Sequence, residues 1–363
     1  MKKLLSIIAV MVLALVLSAC GTKTKEWRIV MITDVGTITD KSFNQGTYEG
    51  VEKFAKEFKI PYSYFRPNAG TQKDYEEAID LNVANGANVI VCPGFLFETA
   101  IHSSQIKYPD VKFILIDGQP HSGDYKIDTK ENTSNILFQE EQAGFLAGYA
   151  AVADGYKNLG FMGGMAVPAV KKFGIGYVAG AYYAANELNK TITFSADRYE
   201  YLDDFENKPE HTTTANGWYS AGVEVIFAAA GGAGNAVMAA AETSNKHVIG
   251  VDVDQSGESE TVISSAMKEL AVAVYQELDA LINKNAFNGG KTAVKGAKEG
   301  AIGLPGGESF KFKTFTKDQY DTLFAKLVDE TIKVPTDKAK LTTFLKDKCG
   351  NPSVADLIAK TEE

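Results

Sequence analysis

The residues that follow the apolar runs of this chain carry the chemistry of recognition. After Arg28-Ile29-Val30-Met31-Ile32 comes Thr33-Asp34-Val35-Gly36-Thr37-Ile38-Thr39-Asp40-Lys41-Ser42-Phe43-Asn44-Gln45, which sets carboxylates at Asp34 and Asp40 beside an aromatic ring at Phe43 and an amide at Asn44. Such a set can stack on a flat apolar face and hydrogen-bond its polar rim. Asp40 or Ser42 can equally cap a helix that Phe43 staples, and capping does not exclude binding. Further on, Cys92-Pro93-Gly94-Phe95-Leu96-Phe97 and Asp117-Gly118-Gln119 follow two more apolar runs. Gly94 allows backbone to approach a ligand closely, although Pro-Gly is also a plain turn. Phe95 and Phe97 are expected in the core.

In the second half, Val223 to Phe227 leads into Ala228-Ala229-Ala230-Gly231-Gly232-Ala233-Gly234-Asn235, and Val248 to Val251 leads into Asp252-Val253-Asp254-Gln255. The amides of Gly231 and Gly232 at a helix start suit an oxygen-rich group. The spacing is not that of the dinucleotide fingerprint G-x-G-x-x-G. Asp252 is the type of carboxylate that accepts hydrogen bonds from the vicinal hydroxyls of a sugar. No nucleophile elbow, zinc-protease helix or P-loop is present, so binding is favoured over catalysis. The four histidines, His102, His121, His211 and His247, have no metal-ligand spacing, and neither metal nor cofactor is expected.

The elements that must position these residues alternate between short apolar runs and longer segments of helical period, which predicts an α/β fold of parallel sheets covered on both faces. Strands are expected at Arg28 to Ile32, Tyr62 to Phe65, Val89 to Cys92, Phe113 to Ile116, Leu159 to Met162, Thr191 to Ser195, Val223 to Phe227 and Val248 to Val251. Phe43 to Phe58 carries one apolar stripe and predicts the first helix. Asn85-Gly86-Ala87-Asn88-Val89-Ile90 and Ser220-Ala221-Gly222-Val223-Glu224-Val225-Ile226 repeat one pattern, a glycine-capped helix end running straight into a strand, and imply two similar doubly wound lobes. Ligands of such sheets sit beyond the carboxyl ends of the strands, where the residues above lie.

The chain is expected to cross between lobes near Glu140 and again after Asp254. The first lobe then comprises residues 27–140 plus about 255–290, and the second 141–254 plus about 291–345, with a helical, solvated tail at 346–363. The Gly- and Lys-rich stretch from Asn285 to Gly300 reads as a loop or hairpin. Gly144 and Gly148, four apart, predict a helix that lets another backbone come close.

The start of the chain sets a compartment. Lys2 and Lys3, an apolar run from Leu4 to Leu17 and Leu17-Ser18-Ala19-Cys20 form an export signal over residues 1–20, with residues 21–26 as a tether. Leu-Ser-Ala-Cys resembles the bacterial lipobox, which makes Cys20 the site of lipidation and the anchor to the membrane. The remaining chain of about 340 residues exceeds what one hydrophobic core organises, in keeping with two lobes. A net charge of −9 excludes a nucleic-acid binder, and a monomer is expected. Cys92 and Cys349 could pair outside the cytoplasm, but Cys92 is expected to pack as a small apolar residue.

Taken together, these strings resemble the basic membrane protein family of bacterial lipoproteins, a branch of the type I periplasmic-binding fold that includes purine nucleoside receptors. The resemblance rests on Thr33-Asp34-Val35-Gly36, Asp40 to Gln45, Gly94-Phe95, Gly144 to Gly148, Phe161-Met162-Gly163-Gly164-Met165, Val225 to Gly234 and Ile249 to Gln255. It implies a purine stacked on Phe43 with Asp34 and Asn44 at its edge, and a ribose held by Asp252, Lys268 and the amides near Gly231. It also implies a permease of an ABC-type importer as partner. Phe173, which opens a second-lobe helix facing the cleft, is the expected second stacking ring, or else a core residue of an amphipathic helix. Where the family often has Gly-Gly or Gly-Ile-Asp, this chain has Gly36-Thr37-Ile38-Thr39. The acidic charge departs from the family's name. A hydrolase of the glycosidic bond, using Asp34 and Asp252 as acid and base, and a receptor for free sugar are the alternatives on the same fold.

Overall fold

The computed structural model describes residues 26–362, so the export signal, Cys20 and all of the tether except Glu26 lie outside the described residues. The first lobe is laid down as β1 (Ile29–Ile32), α1 (Phe43–Phe58), β2 (Tyr62–Phe65), α2 (Gln72–Ala84), β3 (Val89–Pro93), α3 (Glu98–Lys107), β4 (Lys112–Ile116) and β5 (Thr133–Phe138). The chain then passes through α4 (Glu140–Ala153) into β6 (Leu159–Gly163), α5 (Pro168–Glu187), β7 (Tyr199–Tyr201), α6 (Pro209–Ser220), β8 (Val225–Ala229), α7 (Gly234–Ser244), β9 (His247–Asp252) and β10 (Val262–Lys268). It returns through α8 (Leu270–Ile282) to β11 (Lys291–Lys295), and ends with β12 (Ile302–Gly303), α9 (Lys317–Val328), α10 (Lys338–Lys348) and α11 (Ala355–Lys360).

Two six-stranded sheets result, ordered β11-β5-β4-β3-β1-β2 and β12-β10-β9-β8-β6-β7. The doubly wound α/β architecture expected from the sequence is the one found. β1, β3 and β8 are buried at every residue, which is why they read as continuous apolar runs and not as alternating ones. The two orders superimpose strand for strand, so β4 of the first lobe corresponds to β9 of the second. Every pairing is parallel except β10 with β12, which is antiparallel.

Several expectations need correction. Thr191 to Ser195 forms only an isolated bridge, Asn158 with Thr193, and the edge strand is β7. Tyr199 wins the position because its ring stacks on Phe161 of the neighbouring strand at 4.5 Å between centroids. The chain does not re-enter the first lobe after Asp254. β10 pairs with β9, and the crossing follows Lys268, where α8 packs on α1. Also, Asn285 to Gly300 is not merely a loop or hairpin, because β11 inside it pairs with β5 along its whole length, which puts residues 291–295 in the first lobe and not in the second. Lysines at both ends of β11 suit an edge strand, and they hide it in the composition.

Helices α4 and α5 meet through glycine on both sides. A Cβ on Gly144 or Gly148 would collide with the carbonyl oxygens of Phe173 and Tyr177, and one on Gly176 or Gly180 with those of Glu141 and Phe145. Backbone cannot give way as a side chain can, so Gly176→Ala is expected to lower stability by about 1–3 kcal/mol. Gly217, exposed in α6 with nothing near its missing Cβ, is the contrast: Gly217→Ala is expected to be neutral or to add about 0.5–1 kcal/mol. Urea denaturation of both variants checks the pair.

The C-terminal helices dock on the second lobe instead of forming a solvated tail. α10 lies on α5, α11 covers the edge at β7, and Leu341, Leu345, Leu357 and Ile358 are buried. Cys92 in β3 and Cys349 after α10 are both buried free thiols, and burial pushes the Cys349 pKa up to about 12 and that of Cys92 well above its usual range. Neither is a reactive thiolate. Among the described residues no helix is long and apolar enough to cross a membrane.

Candidate functional site

The loops after corresponding strands face each other across a cleft whose cavity encloses about 730 Å³, including space open to solvent. Its wall brings together all ten residues singled out by sequence. Asp34, Asp40, Phe43, Asn44 and Gly94 come from the first lobe, and Phe173, Gly231, Gly232, Asp252 and Lys268 from the second. Among the described residues no group of His, Cys, Asp and Glu could hold a metal ion.

Not all of these side chains are free to meet a ligand. Asp40 accepts from the backbone N–H groups of Ser42 (2.8 Å), Asn44 (3.0 Å) and Gln45 (3.1 Å) and from Asn44 Nδ2 (2.9 Å). Those four donors fill the acceptor positions of a carboxylate, so Asp40 caps α1 and holds the loop. Asn44 Nδ2 also donates to Asp34 Oδ1 at 2.8 Å, which spends both its hydrogens on the two carboxylates. Asn44 thereby aligns the two carboxylates, and its Nδ2 has no hydrogen left for a ligand.

Asp34 is what this scaffold presents. Its Oδ1 accepts from Gly36 N–H at 2.7 Å and from Asn44, while no described residue donates to Oδ2. Oδ2 faces Gly94, where a Cβ would sit 3.5 Å away and φ of 111° excludes most side chains. Burial pushes the Asp34 pKa up to about 6 against the pull of Gly36 N–H and Asn44, and the charges of Asp40 and Asp252 add to the rise. A buried carboxylate with one oxygen unused calls for a donor.

The second cluster joins the lobes. Lys268 Nζ lies 2.7 Å from Asp117 Oδ2 of the first lobe and 3.0 Å from Asp252 Oδ1 of the second. Asp117 and Asp252 follow or end corresponding strands, and both have left-handed backbone, φ 55° and 67°. Non-glycine residues uncommonly sit there, and here the conformation recurs at equivalent positions of the two lobes. Ser42 Oγ reaches across to donate to Asp252 Oδ2 at 2.6 Å, whereas Asp117 Oδ1 is buried without a hydrogen-bond partner. Burial pushes the Asp117 pKa up to about 7 against the attraction of Lys268. Burial also works against the Lys268 ammonium, but Asp117 and Asp252 outweigh it and keep Lys268 above the ordinary lysine range. Asp117 was legible as a residue after a strand, but nothing in the sequence singled it out from its neighbours.

The aromatic walls differ in kind. Phe43 is half-buried, and its ring centroid lies 4.5 Å from Lys268 Nζ. Phe173 is only 2% exposed and packs edge-on against Phe227 at 5.9 Å, so it belongs to the core while closing the back of the cavity. Phe205, which sequence reasoning missed, is half-buried in the loop between β7 and α6 and lines the cavity. A Cβ on Gly164 would run into its ring, and one on Gly231 would lie 3.3 Å from it. The glycines that read as a cradle for oxygen thus also make room for Phe205. Placing the edge strand at Thr191 to Ser195 hid the loop that carries it. Phe95 also lines the cavity, contrary to its expected core position, while Phe97 is fully buried as expected.

Residues 28–338 match the family model Bmp, described as ABC transporter substrate-binding protein PnrA-like. The chain is 31% identical over 352 residues to basic membrane protein B of Borreliella burgdorferi, an alignment that covers 93% of this chain and 98% of that protein. It is 28% identical over 357 residues to the CD4+ T-cell-stimulating antigen of Listeria monocytogenes, covering 88% and 94%. A solute-binding protein of an ABC transporter system from Aeropyrum pernix superposes with a TM-score of 0.74 over 92% of this chain and 99% of that one, at 24% identity, which shows a shared fold.

Proposed function

The chain belongs to the Bmp family of PnrA-like ABC transporter substrate-binding proteins, and from that premise we propose that it is a receptor that encloses a nucleoside, by preference a purine nucleoside, between its two lobes. The family is one of binding proteins and not of enzymes, so the hydrolase alternative falls away. One observation carries the choice of ligand: Lys268 joins a carboxylate from each lobe and sets its ammonium over the half-buried ring of Phe43. A ligand for such a cavity needs hydroxyl donors at one end and an aromatic plane at the other, which are the two halves of a nucleoside.

In this reading the base stacks between Phe43 and Phe205, with Phe173 as the wall behind, and its edge donates to Asp34 Oδ2. The ribose hydroxyls donate to Asp252 and to the unpartnered Asp117 Oδ1, and Lys268 supplies the balancing charge. Contacts from both lobes favour a closed state, so binding closes the hinge. The closed receptor delivers its solute to a permease of an ABC importer, and acylation at Cys20 holds it at the outer face of the membrane.

Thermal unfolding with adenosine, guanosine, inosine, uridine, adenine and ribose tests the reading. A rise in midpoint with purine nucleosides that exceeds the rise with adenine or ribose supports it, because only the whole ligand engages both ends. Stabilisation by ribose equal to that by nucleosides would favour the free-sugar alternative. Phe205→Ala is expected to weaken nucleoside binding by about 1–3 kcal/mol, the usual contribution of a stacked ring. An undiminished affinity on titration would return the second stacking role to Phe173.

A further inference from the structure

Gln255 lies one loop beyond Asp252 and is not part of the cavity wall. We propose that Gln255 is a positioning residue that fastens the ligand-facing loop of the first lobe to the second lobe, and so sets how long the closed state holds its solute; this rests on the two-lobe binding reading above. Its side chain is 1% exposed and its two amide ends point to different lobes. Oε1 accepts from Val251 N–H at 2.8 Å within the second lobe, while Nε2 donates to the Lys41 carbonyl of the first lobe at 2.7 Å. The backbone N–H of Gln255 donates to Ser265 Oγ at 3.1 Å, which fixes the base of the side chain. Gly250 leaves the space, because a Cβ there would collide with Gln255 Oε1.

The place it grips is the sensitive one. Lys41 has φ 60°, a left-handed conformation that persists in a non-glycine residue only when its surroundings hold it. It stands between Asp40, which caps α1, and Ser42, which donates to Asp252. The next residue is Phe43, so holding the Lys41 carbonyl also holds the stacking ring. The ion pair of Lys41 with Glu258, 3.4 Å apart, joins the same segments, but it is too exposed to carry the attachment. A buried amide that satisfies a donor in one lobe and an acceptor in the other is better suited to it.

The two ends of the amide can be separated by substitution. Gln255→Glu keeps an acceptor for Val251 N–H but turns a second oxygen toward the Lys41 carbonyl, so it spares the second lobe and opposes closure. Stopped-flow release of inosine from the full mature chain should be faster in this variant by about tenfold or more, with an unchanged association rate. X-ray scattering should show a larger radius of gyration than for the unsubstituted protein. A purely structural role would lower the unfolding midpoint without splitting the two rates. Release at the original rate together with unchanged scattering would overturn the proposal. If inosine does not bind the unsubstituted protein, the nucleoside reading fails and scattering alone decides on Gln255. Gln255→Met, which removes the donor without adding charge, is expected to act in the same direction more weakly, and it serves if the glutamate variant does not fold.

Discussion

Replacing Lys268 with methionine is expected to lower the stability of the closed protein by about 3–5 kcal/mol at neutral pH, because it leaves two buried carboxylates facing each other without their counter-ion. Asp117, Asp252 and Lys268 are all at least nine-tenths buried, so solvent cannot replace the ammonium. The sign of the pH dependence follows from linkage. Without Lys268 the folded-state pKa of Asp117, which burial already pushes up to about 7, rises further above the unfolded value of about 3.9, so its burial is costly above the raised value and the cost fades as pH drops. The gap between the two proteins should therefore be widest at neutral pH and narrow on acidification toward pH 5. Urea denaturation at pH 5.0 and 7.5 measures it, and Asp117→Asn added to Lys268→Met should recover part of the loss. A gap that is small and independent of pH would mean that the cluster is hydrated and that Lys268 does not tie the lobes together.

Affinity for a base that offers an N–H to Asp34 should fall as pH drops below about 6, approaching tenfold per unit, because the ligand needs the carboxylate and protonation competes with it. Asp34→Asn should remove this dependence and weaken binding at pH 7.5 by about 1.5–3 kcal/mol, the range of a hydrogen bond to a charged group. The same raised pKa acts in the opposite sense on the unliganded protein. The native state holds an extra proton between roughly pH 4 and 6, so Asp34 makes the fold less stable as pH rises through that window. Titrations at pH 5.0, 6.0 and 7.5 with both proteins check the first effect. An affinity that does not change over this range would remove Asp34 from the ligand.

Strands β1, β3 and β8 and helix α1 were legible because full burial on both faces leaves an unbroken apolar run, and because the stripe from Tyr48 to Phe58 has a single period. β10 was not, since Ser264 and Ser265 are fully buried polar residues inside it and break the pattern that burial would otherwise write. β11 was hidden by the lysines of an edge strand. At the site, the post-strand rule found Asp34, Gly94, Gly231 and Asp252, since topology alone places such residues at the cleft. It did not divide labour among them. That Asp40 is spent on capping and Asn44 on aligning two carboxylates depends on hydrogen bonds that only the folded loop brings together. Phe205 was lost with the strand before it, and Asp117 gains its meaning only from Lys268, far off in sequence and contributed by the other sheet.

Calorimetric titration of the mature chain, with Cys20 replaced, against inosine is the most direct test of the central claim. One-to-one binding, abolished or greatly weakened by Asp252→Ala and by Phe43→Ala in chains that remain folded, is the predicted result. No heat of binding from inosine, guanosine or adenosine, or binding that survives both substitutions, would contradict a nucleoside held between Phe43 and the Asp117–Lys268–Asp252 cluster.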